Sequence, residues 1–195
     1  MNRIDNSFKS ENEFSERMKP YAYKVLRTLT VPFPLSNLEE ASPEDDMKHG
    51  VDLYVRVSSI YIALRIRRYI TSSNHRTIDD NDVTIRSQII TNDYKEYDTE
   101  IHKLRNGSFL AKYYFYCVMN KEENKVAKWI LWDVHKTMSV KIRENGKEYG
   151  FWDRERINQR WKNFSPDRNN YFYAVPVSDL KDIGAVIAQY GYYNL

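Results

Sequence analysis

Phe14, Met18, Tyr21, Val25, Leu26 and Leu29 recur at helical spacing, and Ser10 with Glu13 has the spacing of a capping box. Residues 11–29 are therefore predicted as an amphipathic helix. Pro20 would kink that helix or delay its start, because proline has no backbone N–H to donate. Residues 30–50 hold Pro32, Pro34 and Pro43 among acidic residues and read as a loop. Period two then takes over. Leu53, Val55 and Val57 alternate with Tyr54 and Arg56 in a strand over 51–58. Ile60, Ile62, Leu64 and Ile66 alternate with Tyr61, Ala63, Arg65 and Arg67 in a second over 60–69, and Ser58-Ser59 suits a tight hairpin between them. The alternation puts Arg65 and Arg67 on one face and Leu64 and Ile66 on the other.

A polar loop at 71–81 precedes a third, β-branched strand from Asp82 to Gln88. Residues 93–106 are predicted helical, with Asn106-Gly107 as the stop. Residues 110–119 and 127–134 form a hairpin around a polar turn, and a short helix is expected near 153–162. Residues 171–177 make a last strand, after which Ser178 would cap a short helix holding Leu180 and Ile183. This order predicts one α+β domain over 1–195, built on a central mixed sheet flanked by helices. Its core lies at about 10–134, with an aromatic and basic extension at about 135–195.

Composition adds bounds. At 195 residues, 42% hydrophobic and 14% aromatic, the chain can bury a real core. No apolar run approaches the ~20 residues of a spanning helix, so no membrane partner is expected. The N-terminus lacks a hydrophobic signal core, and the expected compartment is the cytoplasm. Cys117, the single cysteine, lies in an apolar run and reads as a buried, inert thiol. The net charge of +3 permits nucleic-acid contact without demanding it. Sixteen tyrosines suit half-buried sheet surfaces, and also a homo-oligomer paired through tyrosine-rich strands. Arg154, Arg156, Arg160 and Arg168 surround Trp152 and Trp161; they could contact nucleic acid, but tryptophans packed under arginine stems explain the pattern better.

The chemistry concentrates in residues 44–68. Asp45, Asp46 and His49 run into Gly50-Val51-Asp52, and the neighbouring strand carries Arg65, Arg67 and Arg68. Carboxylates beside cations on adjacent strands suit a phosphate. Asp82, Thr84 and Arg86 share a face of the third strand and would extend the cationic surface. Glu96, Glu100 and Lys103 follow at helical intervals that ordinary ion pairing explains. Asp79, Asp80 and Asp82 lack the glycine and distal glutamate of a calcium loop. Asp133 and His135 sit two apart, as an acid–base pair or as ordinary strand-end residues. No Ser-His-Asp pattern, Walker loop, GxGxxG or zinc spacing occurs.

With those residues in view, the chain resembles the PD-(D/E)XK superfamily, the restriction-endonuclease-like nucleases, with an atypical or degenerate motif. That family has a helix, a strand opened by an Asp, a neighbouring strand carrying Glu/Asp-x-Lys, another helix and further strands. Gly50-Val51-Asp52 matches the first acidic element, and Arg65-Ile66-Arg67 stands where Glu/Asp-x-Lys is expected. The resemblance covers roughly residues 10–134 as an order of elements. It implies Mg²⁺ or Mn²⁺ on Asp52 and a second acid, Asp82 or Glu100, with catalytic roles for Asp52, Arg65 and Arg67. It also implies phosphate contacts from Arg65, Arg67, Arg68 and Arg86, and a nucleic-acid partner. Arg65 in the place of an acid removes a metal ligand, and a guanidinium that stays protonated is a poor general base. Two functions follow: a Mg²⁺-dependent phosphodiesterase with a recruited acid, or a non-catalytic phosphate- or nucleic-acid-binding protein such as a phage or mobile-element accessory factor.

Overall fold

The computed structural model describes residues 3–29, 38–55, 60–69, 81–89, 99–164 and 170–192. The first helix, α1 (Arg3–Thr28), begins earlier than the apolar pattern implies and passes through Pro20. Pro20 lies on the exposed side, where water can satisfy the carbonyl left without its donor. The buried stripe is Phe14, Met18, Ala22 and Leu26, a strict four-residue row, so Tyr21 faces outward and Ala22 takes the inner position.

The expected loop at 30–50 holds two elements among its described residues, β1 (Leu38–Glu40) and α2 (Pro43–His49). Pro43 occupies the first helical position, where its fixed φ helps and its missing N–H costs nothing. Ser42 caps α2 by accepting from the Asp45 N–H at 3.2 Å. Glu44, Asp45 and Asp46 fill the first turn, where the helix dipole favours negative charge. The acidic cluster thus has a local cause. Gly50 ends α2 at φ +66°, and a Cβ there would stand 2.6 Å from the Phe109 ring.

The central sheet continues with β2 (Leu53–Val55) and β3 (Ile60–Arg67), antiparallel with Leu53 opposite Ile62. The Ser58-Ser59 link lies outside the described residues. Next comes β4 (Asp82–Ile89), then α3 (Glu100–Asn106), β5 (Tyr113–Met119) and β6 (Val126–Asp133). β5 runs parallel to β3, with Arg65 beside Tyr116, and antiparallel to β6. After β6 come α4 (Val134–Ser139), the hairpin β7 (Lys141–Glu144) and β8 (Lys147–Gly150), and α5 (Arg154–Arg160). β9 (Lys162–Phe164), β10 (Asn170–Pro176), α6 (Val177–Asp182) and β11 (Val186–Tyr190) complete the described elements.

The result is mixed α+β, with a central mixed sheet of six strands in the order β1-β2-β3-β5-β6-β11, flanked by helices. On one face Ile62, Ile66, Phe115, Cys117 and Leu131 pack beneath the α1 stripe. Burial pushes the Cys117 thiol well up, as suits an inert thiol. On the other face Ala63, Tyr114, Tyr116, Ile130 and Trp132 meet Val83, Ile85, Tyr173 and Val175 of a second sheet, β4-β10-β9.

Four expectations change. The third strand, β4, leaves the central sheet because it pairs along its length with β10, Val83 opposite Val175 and Arg86 opposite Phe172. The helix predicted over 93–106 starts at Glu100, since Thr99 is extended at φ −95°, ψ 168°; residues 93–98 lie outside the described part. Ser178 sits inside α6, which begins directly after Pro176. The C-terminal stretch returns β11 to the central sheet beside β6, so the sheet extends past residue 134. Among the described residues no helix is long and apolar enough to cross a membrane.

Gly50→Ala is expected to cost about 1–2 kcal/mol for the left-handed conformation alone, before the clash with Phe109. Urea denaturation should show the loss, and wild-type stability in the variant would contradict the close approach.

Candidate functional site

Asp52 is placed by the turn at Gly50 and by the buried Val51, just ahead of β2. Its N–H donates to Ile62 O at 3.1 Å, its carbonyl accepts from Ala41 N, and its Oδ2 accepts from Leu64 N at 2.6 Å. The carboxylate therefore adds a rung to the β2–β3 ladder, a structural job available to an acid at this position. Burial, with the nearby Asp46 carboxylate, pushes the Asp52 carboxyl up to about 7, against the pull of the Leu64 N–H, Arg65 and Lys19. A cavity of about 290 Å³ beside it is lined by Glu16, Lys19, Glu40, Asp46 and Asp52.

Arg65 and Arg67 project from the opposite face to Leu64 and Ile66, as the alternation requires, and enter the space between the two sheets. Arg65 Nη2 donates to Glu100 Oε1, and its Nε donates to the Tyr114 hydroxyl at 3.4 Å. Glu100 Oε1 also accepts from Tyr114 at 2.9 Å, and its Oε2 accepts from the Arg86 backbone N–H at 2.8 Å. Arg67 Nε donates to Thr84 Oγ1 at 3.0 Å, which in turn lies 3.2 Å from the Tyr116 hydroxyl. The Arg67 and Arg86 guanidinium groups stand over one Phe172 ring, at 4.5 and 5.8 Å.

Arg65, Arg67 and Arg86 are thus brought together by three strands from two sheets. Arg86 is the most stressed of them. Its Nε is buried and has no hydrogen-bond partner among the described residues. Burial, with the charges of Arg65 and Arg67, pulls its guanidinium down to about 9.

The remaining candidates are elsewhere. Arg68 lies on the α1 side, stacked on Phe14 at 4.4 Å and donating to Ser10 O, so it does not join the other arginines. Asp82 opens β4 opposite Pro176, four residues from Arg86, or about 13 Å at ~3.3 Å per residue. Lys103 reaches Asp46 O at 3.3 Å. Asp133 caps α4 through Lys136 N at 2.9 Å, and His135 is exposed. Asp79, Asp80, Glu96 and Arg168 lie outside the described residues.

Around Trp161, Arg156 and Arg160 share Glu144 and Asp179 at 2.7 to 3.6 Å, and Trp161 Nε1 donates to Asp179 at 2.7 Å. Burial resists ionisation of Asp179, but these donors hold its carboxyl below the usual range. This closed set of ion pairs borders a cavity of about 540 Å³ and agrees with tryptophans packed under arginine stems.

A divalent ion does not fit the acids as they stand. Both Glu100 oxygens accept from Arg65, Tyr114 or the Arg86 N–H, and Asp52 Oδ2 accepts from Leu64. Among the described residues no three of His, Cys, Asp and Glu form a group able to hold a metal.

Tyr114, Tyr116 and Phe172 were not singled out from the pattern. Tyr114 and Tyr116 repeat the i, i+2 spacing of Arg65 and Arg67 on a strand, which is the signal that could have flagged them. No family model, curated protein or solved structure matches this chain, so the geometry alone carries the functional assignment.

The folded chain holds the Asp52 proton up to about pH 7, whereas an ordinary aspartate releases it near 3.8. Between those values the folded state binds more protons, so stability falls as pH rises through the window. Asp52→Asn can still accept from Leu64 N–H. It is expected to match the wild type at about pH 4 and to exceed it at about pH 8 in urea denaturation. A variant no more stable at the higher pH would show that Asp52 titrates normally.

Proposed function

We propose that this chain binds the phosphate groups of nucleic acid through Arg65, Arg67 and Arg86, on a restriction-endonuclease-like scaffold. The observation that carries the proposal is Arg86: a half-buried guanidinium, crowded by two others, with a buried Nε that lacks a hydrogen-bond partner among the described residues. A buried donor left without an acceptor costs about 1–3 kcal/mol in a network built only for stability. A phosphate supplies an acceptor for Arg86 Nε and negative charge beside it, and arginine edges match its geometry. The scaffold half of the proposal draws support from element order: a helix, an Asp-led strand, a neighbouring strand carrying the cations, a helix, and further strands.

A second reading, Mg²⁺- or Mn²⁺-dependent phosphodiester cleavage, is favoured by one observation. Asp52, near pH 7, is poised as a proton acceptor close to Arg65. It requires Glu100 to surrender its bond to Arg65, and so stands second.

Binding to a labelled oligonucleotide separates the readings. Arg86→Gln is expected to weaken binding by about tenfold or more, the worth of a charge-assisted hydrogen bond. The salt dependence should also flatten by about one unit of slope. An oligonucleotide that binds the wild type and Arg86→Gln equally, or neither, removes the proposal. Cleavage that appears with Mg²⁺ and disappears in Asp52→Ala would install the second reading instead.

A further inference from the structure

We infer that the phosphate taken by the arginine site is a terminal phosphomonoester at a strand end, not an internal phosphodiester. This rests on the reading that Arg65, Arg67 and Arg86 bind phosphate at all.

Access is the first reason. The guanidinium groups lie between two sheets rather than on an open groove. Only 13% of the Arg65 side chain meets solvent. Phe172, 4% exposed, covers a face of both Arg67 and Arg86, so an anion has to meet the guanidinium edges. Thr84, Tyr114 and Tyr116, all buried, back the arginines on the sheet side. An internal phosphodiester carries a sugar on each side and needs a channel open in two directions. A terminal phosphate carries one substituent and enters through a single opening.

Charge is the second reason. At neutral pH a phosphomonoester bears ≈ −1.5 to −2 and offers three acceptor oxygens, whereas a diester bears a single charge. Arg86 Nε is buried between positive neighbours, so the ligand with more charge and more acceptors relieves it more. The same chemistry is presented by a 5′-phosphate and by a 3′-phosphate, and both belong in the test.

Three single-stranded oligonucleotides of one sequence are compared: 5′-phosphorylated, 3′-phosphorylated, and with hydroxyls at both ends. One phosphorylated form is expected to bind the wild-type chain at least about tenfold tighter than the hydroxyl form. A nucleoside monophosphate with its phosphate on the same carbon should compete. Arg86→Gln should erase the preference while keeping the circular-dichroism spectrum of the fold. Phe172→Leu, which keeps bulk but loses the ring under the guanidiniums, should reduce it. Equal binding of all three oligonucleotides, weakened alike by Arg86→Gln, would overturn the end-specific inference and leave the phosphate-binding proposal standing. Binding of none of the three would remove both. If Arg86→Gln does not fold, the wild-type preference and the competition decide the matter.

Discussion

Parallel pairing of β3 with β5 is the constraint on which the site depends. Parallel neighbours cannot be joined by a tight turn, so the chain between Arg67 and Tyr113 has to travel away from the sheet and return. β4 and α3 lie on that excursion. They bring the Arg86 backbone and the Glu100 carboxylate to the face from which Arg65 and Arg67 project. Had β3 and β5 been antiparallel with a short link, neither group would be there. The cationic cluster is thus a product of topology as much as of residue type.

Glu100 holds the pieces together. One carboxylate accepts from a β3 side chain, a β5 hydroxyl and a β4 backbone N–H, joining both sheets to the start of α3. Such a group is stable while all its donors are present and costly when any is removed. Arg65 supplies Glu100 with a fixed monocation inside this network. A guanidinium of this kind delivers charge without a coordinated water.

Local periodicity made part of this legible. The alternation from Ile60 to Arg67 set the correct faces, and the helical row through Phe14, Met18 and Leu26 marked the inner side of α1. The hairpin of β5 and β6 and the glycine stop after Asn106 followed from equally local signals. What stayed hidden was non-local. β4 carries a strand pattern, but nothing within it says that its partner is β10. Phe172 reaches Arg67 and Arg86 only through that pairing, so no spacing rule could find it. Asp52 showed the limit from the other side: its position beside Gly50 was legible, whereas its bond to the Leu64 N–H depends on the strand register. The α2 helix was missed for a different reason, because Pro43 reads as a breaker although it stands at the first position of the helix.

The return of β11 to the edge of β6 has a consequence for how the chain is made. Synthesis delivers β6 long before β11, and β5 covers only one of its edges in the meantime. Until β11 arrives, a nascent chain presents a tryptophan-bearing strand with an open ladder, the kind of edge that pairs with other chains. The pairing of β11 is therefore also the step that shields the β6 edge from other chains, and the interval before it is when a chaperone has that edge to protect.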